Sequence, residues 1–455
     1  MTSIDVEVPP AATGTTPTGR PHHGVAQRGL ESLPSSPFTG RFGRMFRELP
    51  VFDHDPATLS ALAGTMIQDA EPTQTADGAF DEDENPARVP AGYTYFGQFI
   101  DHDITFDPVS SLDRQNDPDA LVDFRSPRFD LDNLYGRGPD DQPYLYDHDD
   151  PVKLRLGEPV DDAGSAFAGP DLPRDTPRDA AGGLRGVALI GDPRNDENLV
   201  VSQLQVTFIK FHNRMVDKVR ADKPQLSRAE TLKEAQRLVR WHYQWAVVYD
   251  FLPRVVGPDV VDDIFRQERY RVAGADVVVP RPRLLFYDAS RPYIPVEFSV
   301  AAYRFGHSMI RPNYHINDFV RANRAASTPD LPRVPIFSDD PGEFSNLNGF
   351  RRLPPKWGIQ WKYFFEMPGE VEEGAAPKMS YKIDAVLSNP LAKLPQVHAP
   401  DIRSLAERNL LRGRSMGLPS GQRVAQAMGI TPLTEAELGV EAFPDLAGND
   451  PLWHY

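Results

Sequence analysis

Phe96-Gly97-Gln98-Phe99-Ile100-Asp101-His102-Asp103-Ile104-Thr105-Phe106 passes from an apolar run straight into an Asp-His-Asp triplet, which sets an imidazole between two carboxylates. The Phe and Ile residues on both sides predict that the triplet is buried. If the stretch is helical, Gln98 stands three positions before Asp101 and four before His102, so the three share one face. Asp103 falls about 100° further round and must point elsewhere. The pattern predicts a reaction centre beside a separate cation site. Tyr146-Asp147-His148-Asp149-Asp150 carries the same triplet inside a polar loop and is assigned no function.

Around this stretch lie 455 residues, 40% of them hydrophobic, enough for one large or two ordinary domains with a full core. No apolar run reaches the ~18 residues that a membrane-spanning helix needs. Residues 1–24 are rich in Thr, Pro, Ala and Gly and lack the basic start and apolar stretch of a secretory signal. They read as a disordered arm, with 25–455 as one domain. With neither signal nor span, a cytoplasmic or non-classically exported protein is expected. Cysteine is absent, which excludes disulfides and thiolate ligation of a metal. A net charge of −16 argues against a nucleic-acid partner but suits Ca²⁺, which prefers carboxylate oxygens.

Forty-five prolines and thirty-three glycines gather in connecting stretches such as 157–186 and 327–342. Leu204, Phe208, Phe211, Met215 and Val219 recur at helical spacing and predict a core helix. Residues 231–250 read as a second long helix, stopped by Phe251-Leu252-Pro253, and 297–310 as a third. The alternation in 270–279 fits a strand pair. The fold class is therefore mainly α: a single large helical domain with long irregular loops and few short strands.

Four segments together carry a resemblance. Gly97-Gln98-Phe99-Ile100-Asp101-His102-Asp103 resembles the distal helix of the animal-type haem peroxidases, the peroxidase–cyclooxygenase superfamily. Gly191-Asp192-Pro193-Arg194-Asn195-Asp196-Glu197-Asn198 is similar to the segment that gives the family its distal cation. Tyr303-Arg304-Phe305-Gly306-His307 resembles the proximal signature Arg-Tyr/Phe-Gly-His, and Asn409-Leu410-Leu411-Arg412 follows it in family order. The four span about two thirds of the chain.

The resemblance implies haem b ligated through iron by His307, with Asn409 as the acceptor that fixes its tautomer. It implies His102 as acid and base toward H₂O₂, Arg194 as the cation that stabilises charge as the O–O bond breaks, and Gln98 in the same cavity against a small anion. Asp101 and Glu197 would form esters to the haem, and Arg304 and Arg412 would contact its propionates. The segment Ser126-Pro127-Arg128-Phe129-Asp130-Leu131-Asp132 resembles the family's calcium loop. Asp103, Ser126, the Arg128 carbonyl, Asp130 and Asp132 would then bind Ca²⁺. Asn198 stands where myeloperoxidase-like members carry a haem-bonded methionine, so that link is impossible here. The chain also stops where similar sequences run on, which implies either a shortened member or missing packing. The implied activity is oxidation of halide, thiocyanate or small aromatic donors by H₂O₂. Its rivals are a fatty-acid dioxygenase of the same superfamily, which needs a radical Tyr where Arg304 stands, and a peroxinectin-like adhesion protein. No Arg-Gly-Asp or Lys-Gly-Asp tripeptide supports adhesion.

Overall fold

The computed structural model describes residues 40–68, 89–107, 116, 121–160, 169–176, 186–272, 274–327, 333–369, 376–397 and 401–455. The arm expected at 1–24 lies outside them. The fold is mainly helical, as expected, and no helix among the described residues is long and apolar enough to cross a membrane.

Four helices frame the centre. Gly92–Ile104 runs through the main core, and Tyr93, Phe96, Phe99, Ile100 and Ile104 bury against it. Leu199–Asp222 crosses behind, opened by Asn198, whose side chain accepts from the Val201 amide at 2.9 Å. Its fully buried stripe contains Ile209, His212, Val216 and Val219, whereas Phe208, Phe211 and Met215 are half-buried along one edge. Arg228–Ala246 opens with a capping box of Ser227 and Glu230 and brings Tyr243 against Phe96, Phe99 and Phe208. Leu405–Ser415 lies on the far side of the centre, with Asn409 and Leu410 buried. A second buried cluster, around Tyr95, Tyr314, Trp357 and Phe364, packs beneath the start of the Gly92–Ile104 helix.

Two helix expectations need correction. The second long helix does not stop at Pro253: it widens into a π-turn at Val247–Phe251, resumes over Leu252–Val256 and ends at Gly257, where φ is +90°. The wider winding absorbs a proline that lacks a donor and would crowd the preceding turn. The third helix is not one α-helix. It is a π-turn over Glu297–Ala301 followed by a 3₁₀ stretch over Ala302–His307, with the break at Ala301 (φ −124°, ψ −79°). Buried Glu297 ties its start down by accepting from the Met45 and Phe46 amides, each at 3.0 Å. The strand pair is present: Phe265–Val272 and Ala275–Pro282 form an antiparallel hairpin that sets Tyr270 opposite Val277. The other strands among the described residues are two residues long.

Candidate active site

The two Asp-His-Asp triplets differ in burial. The His148 and Asp149 side chains are fully in solvent, whereas His102 is 4% exposed and Asp103 is 0% exposed. Helical geometry sends Gln98, Asp101 and His102 into one cavity of about 370 Å³ and turns Asp103 away from it. The cavity is also lined by Arg194, Glu197, Tyr303, Arg304, His307 and Arg408.

His102 Nδ1 lies 2.7 Å from Asn195 Oδ1, and Asn195 in turn donates to Gln205 Oε1 at 2.9 Å. A carboxamide oxygen only accepts, so the imidazole carries its proton on Nδ1 and keeps Nε2 as the acceptor on the cavity side. Burial, and then the Arg194 charge, lower the His102 pKa to about 3. The ring is a neutral base under ordinary conditions.

Arg194 sits on a short 3₁₀ turn, Pro193–Asp196, begun by Asp192, which accepts from the Arg194 amide at 2.9 Å. The same Asp192 grips the guanidinium (Nε–Oδ1 3.1 Å, Nη2–Oδ2 2.9 Å) and takes a second cation, Arg125, at 2.6 Å. Burial alone would push Asp192 up, but Arg194 and then Arg125 hold it well below the usual carboxylate range. Arg194 also donates to the Thr105 carbonyl and lies 3.6 Å from Asp101. The cation is thereby held rigidly beside the base.

Glu197 follows the turn. The backbone around it is met closely by Gly349, where any Cβ would overlap the Asp196 carbonyl. Gln98 donates to Glu197 Oε2 at 2.9 Å and accepts from Asn198 at 3.1 Å. Burial raises Glu197 to about 7 despite Arg194, and it raises Asp101 as well. Both carboxylates line the cavity.

Also on the wall, the 3₁₀ winding sets Arg304 one turn before His307. His307 Nδ1 is 2.8 Å from Asn409 Nδ2, while Arg304 donates to Asn409 Oδ1. The partner expected for His307 is therefore in place, but it presents its nitrogen because Arg304 takes the oxygen. Burial and then the Arg304 charge lower His307 to about 3. Arg412 points to Asp107 at 4.0 Å, and it is Arg408, one turn earlier, that lines the cavity. Arg304 is lowered to about 10 by burial, with Asp101 opposing and Arg412, Arg408 and Arg194 adding to the shift. Such a cluster of cations favours an anionic occupant. Tyr303 also reaches the wall, and its hydroxyl donates to the Gly97 carbonyl at 3.1 Å.

Behind His102, Asp103 faces Asp130 and Asp132, and burial followed by these two charges pushes it well up. Asp130 is raised to about 7 by burial and then by Asp132. Both Asp103 oxygens and Asp130 Oδ1 are buried with no partner at full hydrogen-bond geometry, although the Leu131 amide and the Tyr243 hydroxyl face Asp103. Ser126 Oγ donates to the other Asp130 oxygen at 2.6 Å. Arg240 and Gln244 pin the loop by its Asp130 and Phe129 carbonyls, at 2.6 and 2.9 Å, and Arg128 is exposed. As they stand, no three acidic or His side chains among the described residues form a closed metal cluster.

The sequence reading missed Asn195, Asp192, Arg125 and Arg408. Asn195 and Asp192 adjoin Arg194, so their types were visible, but spacing alone does not set their direction. Arg125 comes from a distant loop and carried no signal.

Residues 114–443 match the animal haem peroxidase domain family. Human thyroid peroxidase is 26% identical over 296 residues, which cover 63% of this chain and 28% of that protein. The dual oxidase of Drosophila melanogaster is 25% identical over 244 residues, 53% of this chain and 13% of that protein. The chain thus spans less than a third of the length of either relative. Among solved structures, peroxidase A from Dictyostelium discoideum superposes with a TM-score of 0.54 at 15% identity, covering 88% of this chain and 76% of that one. The fatty acid alpha-dioxygenase of Oryza sativa superposes with a TM-score of 0.58 at 16% identity, covering 92% and 70%. These two share the fold. The family match holds Arg194, Glu197, Arg304, His307, Asn409 and Arg412, and begins after Gln98, Asp101 and His102.

Proposed function

Because this chain belongs to the animal haem peroxidase family, we propose that it is a haem peroxidase in which His102 and Arg194 activate H₂O₂ opposite an iron ligand, His307. One observation carries the reading: His102, Arg194 and His307 come from three separate segments and line a single cavity. The residues fit haem b. A missing Cβ at Gly306 leaves open space beside His307, and the Arg304, Arg408 and Arg412 cluster suits propionates. When bound, haem supplies an iron centre that can be oxidised by peroxide.

Nε2 of His102 takes the proton from the incoming peroxide oxygen and returns it to the departing one. Arg194, immobilised by Asp192, stabilises the negative charge that develops as the O–O bond breaks. Asp101 and Glu197, both on the cavity wall, are the carboxylates that would esterify haem methyls. Arg304, drawn to a propionate, would release Asn409 Oδ1 to accept from His307 Nδ1. The electron donors that fit are halide, thiocyanate or small aromatic molecules, with Gln98 as an anion contact. The fit for Ca²⁺ rests on the buried Asp103 and Asp130 oxygens that lack a full hydrogen bond, with Ser126, the Arg128 carbonyl and Asp132 completing the set. That ion would brace the helix carrying His102.

One observation favours a second reading, a fatty-acid dioxygenase: the irregular helix turns Tyr303 onto the cavity wall. The hydroxyl donates to a backbone carbonyl, which cannot take its proton, and Arg304 holds the position one turn before His307. Both features favour the peroxidase. The deciding experiment compares peroxide-driven oxidation of bromide, thiocyanate and guaiacol with oxygen uptake on linoleate. Peroxide-dependent oxidation without uptake is expected. Rapid uptake abolished by Tyr303→Phe would overturn the peroxidase in favour of the dioxygenase.

A further inference from the structure

The His307 ring is met by an indole. The Trp453 ring lies 6.3 Å from the imidazole, centroid to centroid, tilted at 67° so that edge meets face. Trp453 packs against the main core yet is only partly buried, so the residue that meets the His307 imidazole is also part exposed.

The contact is built. Asp450 is fully buried and accepts from His454 Nδ1 at 2.7 Å, and its own amide donates to Gln422 Oε1 at 2.8 Å. Its carbonyl accepts from the Gly421 amide at 3.0 Å, and Gly421 has no Cβ where the Tyr455 ring lies. The Tyr455 hydroxyl accepts from the Leu433 amide at 2.9 Å. Trp453 is therefore held between anchored residues, Asp450 before it and His454 and Tyr455 after it.

Indole is among the most readily oxidised side chains, and partial exposure of Trp453 gives its proton a route to water. Tyr303, another oxidisable ring on the cavity wall, donates to the Gly97 carbonyl, which cannot accept that proton. We propose that Trp453 is an electron relay, through which small phenolic or other one-electron donors at the surface reduce the peroxide-oxidised centre by way of His307. This rests on the peroxidase reading above.

The electrons balance. Each H₂O₂ is reduced to water and leaves two oxidising equivalents. Trp453 gives up one electron and its indole N–H proton passes to solvent, leaving a neutral tryptophanyl radical. A phenol then returns one electron and one proton and leaves as a phenoxyl radical, and the cycle runs twice per peroxide.

The test mixes haem-loaded protein with equimolar H₂O₂, without donor, freezes it and records its electron paramagnetic resonance. A tryptophanyl spectrum is expected that narrows when tryptophan is deuterated on its ring and is lost in Trp453→Phe. That variant keeps the aromatic contact, so its resting haem spectrum should not change. A nitroso spin trap should also leave its mass on the peptide holding Trp453. If the wild-type haem absorption responds to peroxide but no deuterium-sensitive signal forms, or the trap marks another residue, the relay is refuted and the peroxidase stands. If the absorption does not respond at all, the peroxidase reading fails and the relay falls with it. The deuteration and trapping experiments use wild-type protein, so poor folding of the variant leaves the test intact.

Discussion

Replacing Asn195 by Leu tests the account of the base. Leu is close to Asn in shape, but it cannot accept from His102 Nδ1, which lies 2.7 Å from the Asn195 oxygen. A buried N–H left unpaired costs about 1–3 kcal/mol. His102 escapes that penalty by moving its proton to Nε2, where it blocks the nitrogen that must take the peroxide proton. A penalty of that size lowers the useful tautomer by roughly 5- to 150-fold, taking ~1.4 kcal/mol per factor of ten. The assay is stopped-flow mixing with H₂O₂, following the change in haem absorption, with the resting spectrum as a check on haem binding. Asn195→Asp is the control: it keeps an acceptor and adds a negative charge beside the ring, so the proton stays on Nδ1. Its rate should fall at acidic pH as His102 becomes easier to protonate. His102→Ala should lose about 10²–10⁴, more than Asn195→Leu. The reasoning is refuted if Asn195→Leu keeps the wild-type rate with an intact haem spectrum, or if the Leu and Asp variants are equally slow.

Esterification should depend on Glu197 being ionised. Since burial raises Glu197 to about 7, peroxide-treated protein should retain more haem through acid–acetone extraction at pH 8 than at pH 6. Glu197→Gln should remove that difference, and complete haem release under all conditions would exclude the links. Calcium-free protein should lose stability as pH rises. Asp130 folds with a value of about 7, above the ordinary ~3.9, so its protonated form stabilises the fold fully at low pH and that contribution disappears as pH climbs through about 7. Calcium needs the ionised carboxylates, so its stabilising shift in melting temperature should be small at pH 5 and large at pH 8. An equal shift at both values counts against the site. Arg174 is 1% exposed at its side chain and bridges Asp171 and Asp196, at 2.9 and 2.7 Å. Arg174→Met would strand two buried carboxylates at a cost of about 3–5 kcal/mol. Denaturant melts should show that loss, and a loss below experimental error would mean the network relaxes.

The sequence determined the chemistry on offer and much of the helical layout. A helix with Gln98, Asp101 and His102 on one face and Asp103 on another follows from periodicity alone, because residues three and four apart share a face whatever the surroundings. The core helix through Leu204 and Val219 and a strand pair around 270–279 were legible for the same reason, local repeats reflecting local geometry, whereas the hairpin's register was not. The irregular Glu297–His307 helix was not legible, since the π and 3₁₀ windings respond to packing and to buried partners such as Glu297 with the Met45 amide. Nor could the sequence tell which arginine, 408 or 412, turns inward, or which atom of Asn409 meets His307. Those outcomes depend on competition among groups that meet only when the chain folds: Arg304 for the Asn409 oxygen, Asp107 for Arg412, Asn195 for the His102 proton. Hydrogen bonds between residues a hundred positions apart leave no mark on spacing. Residue types set what the site can do, and tertiary contacts decided which proton sits where.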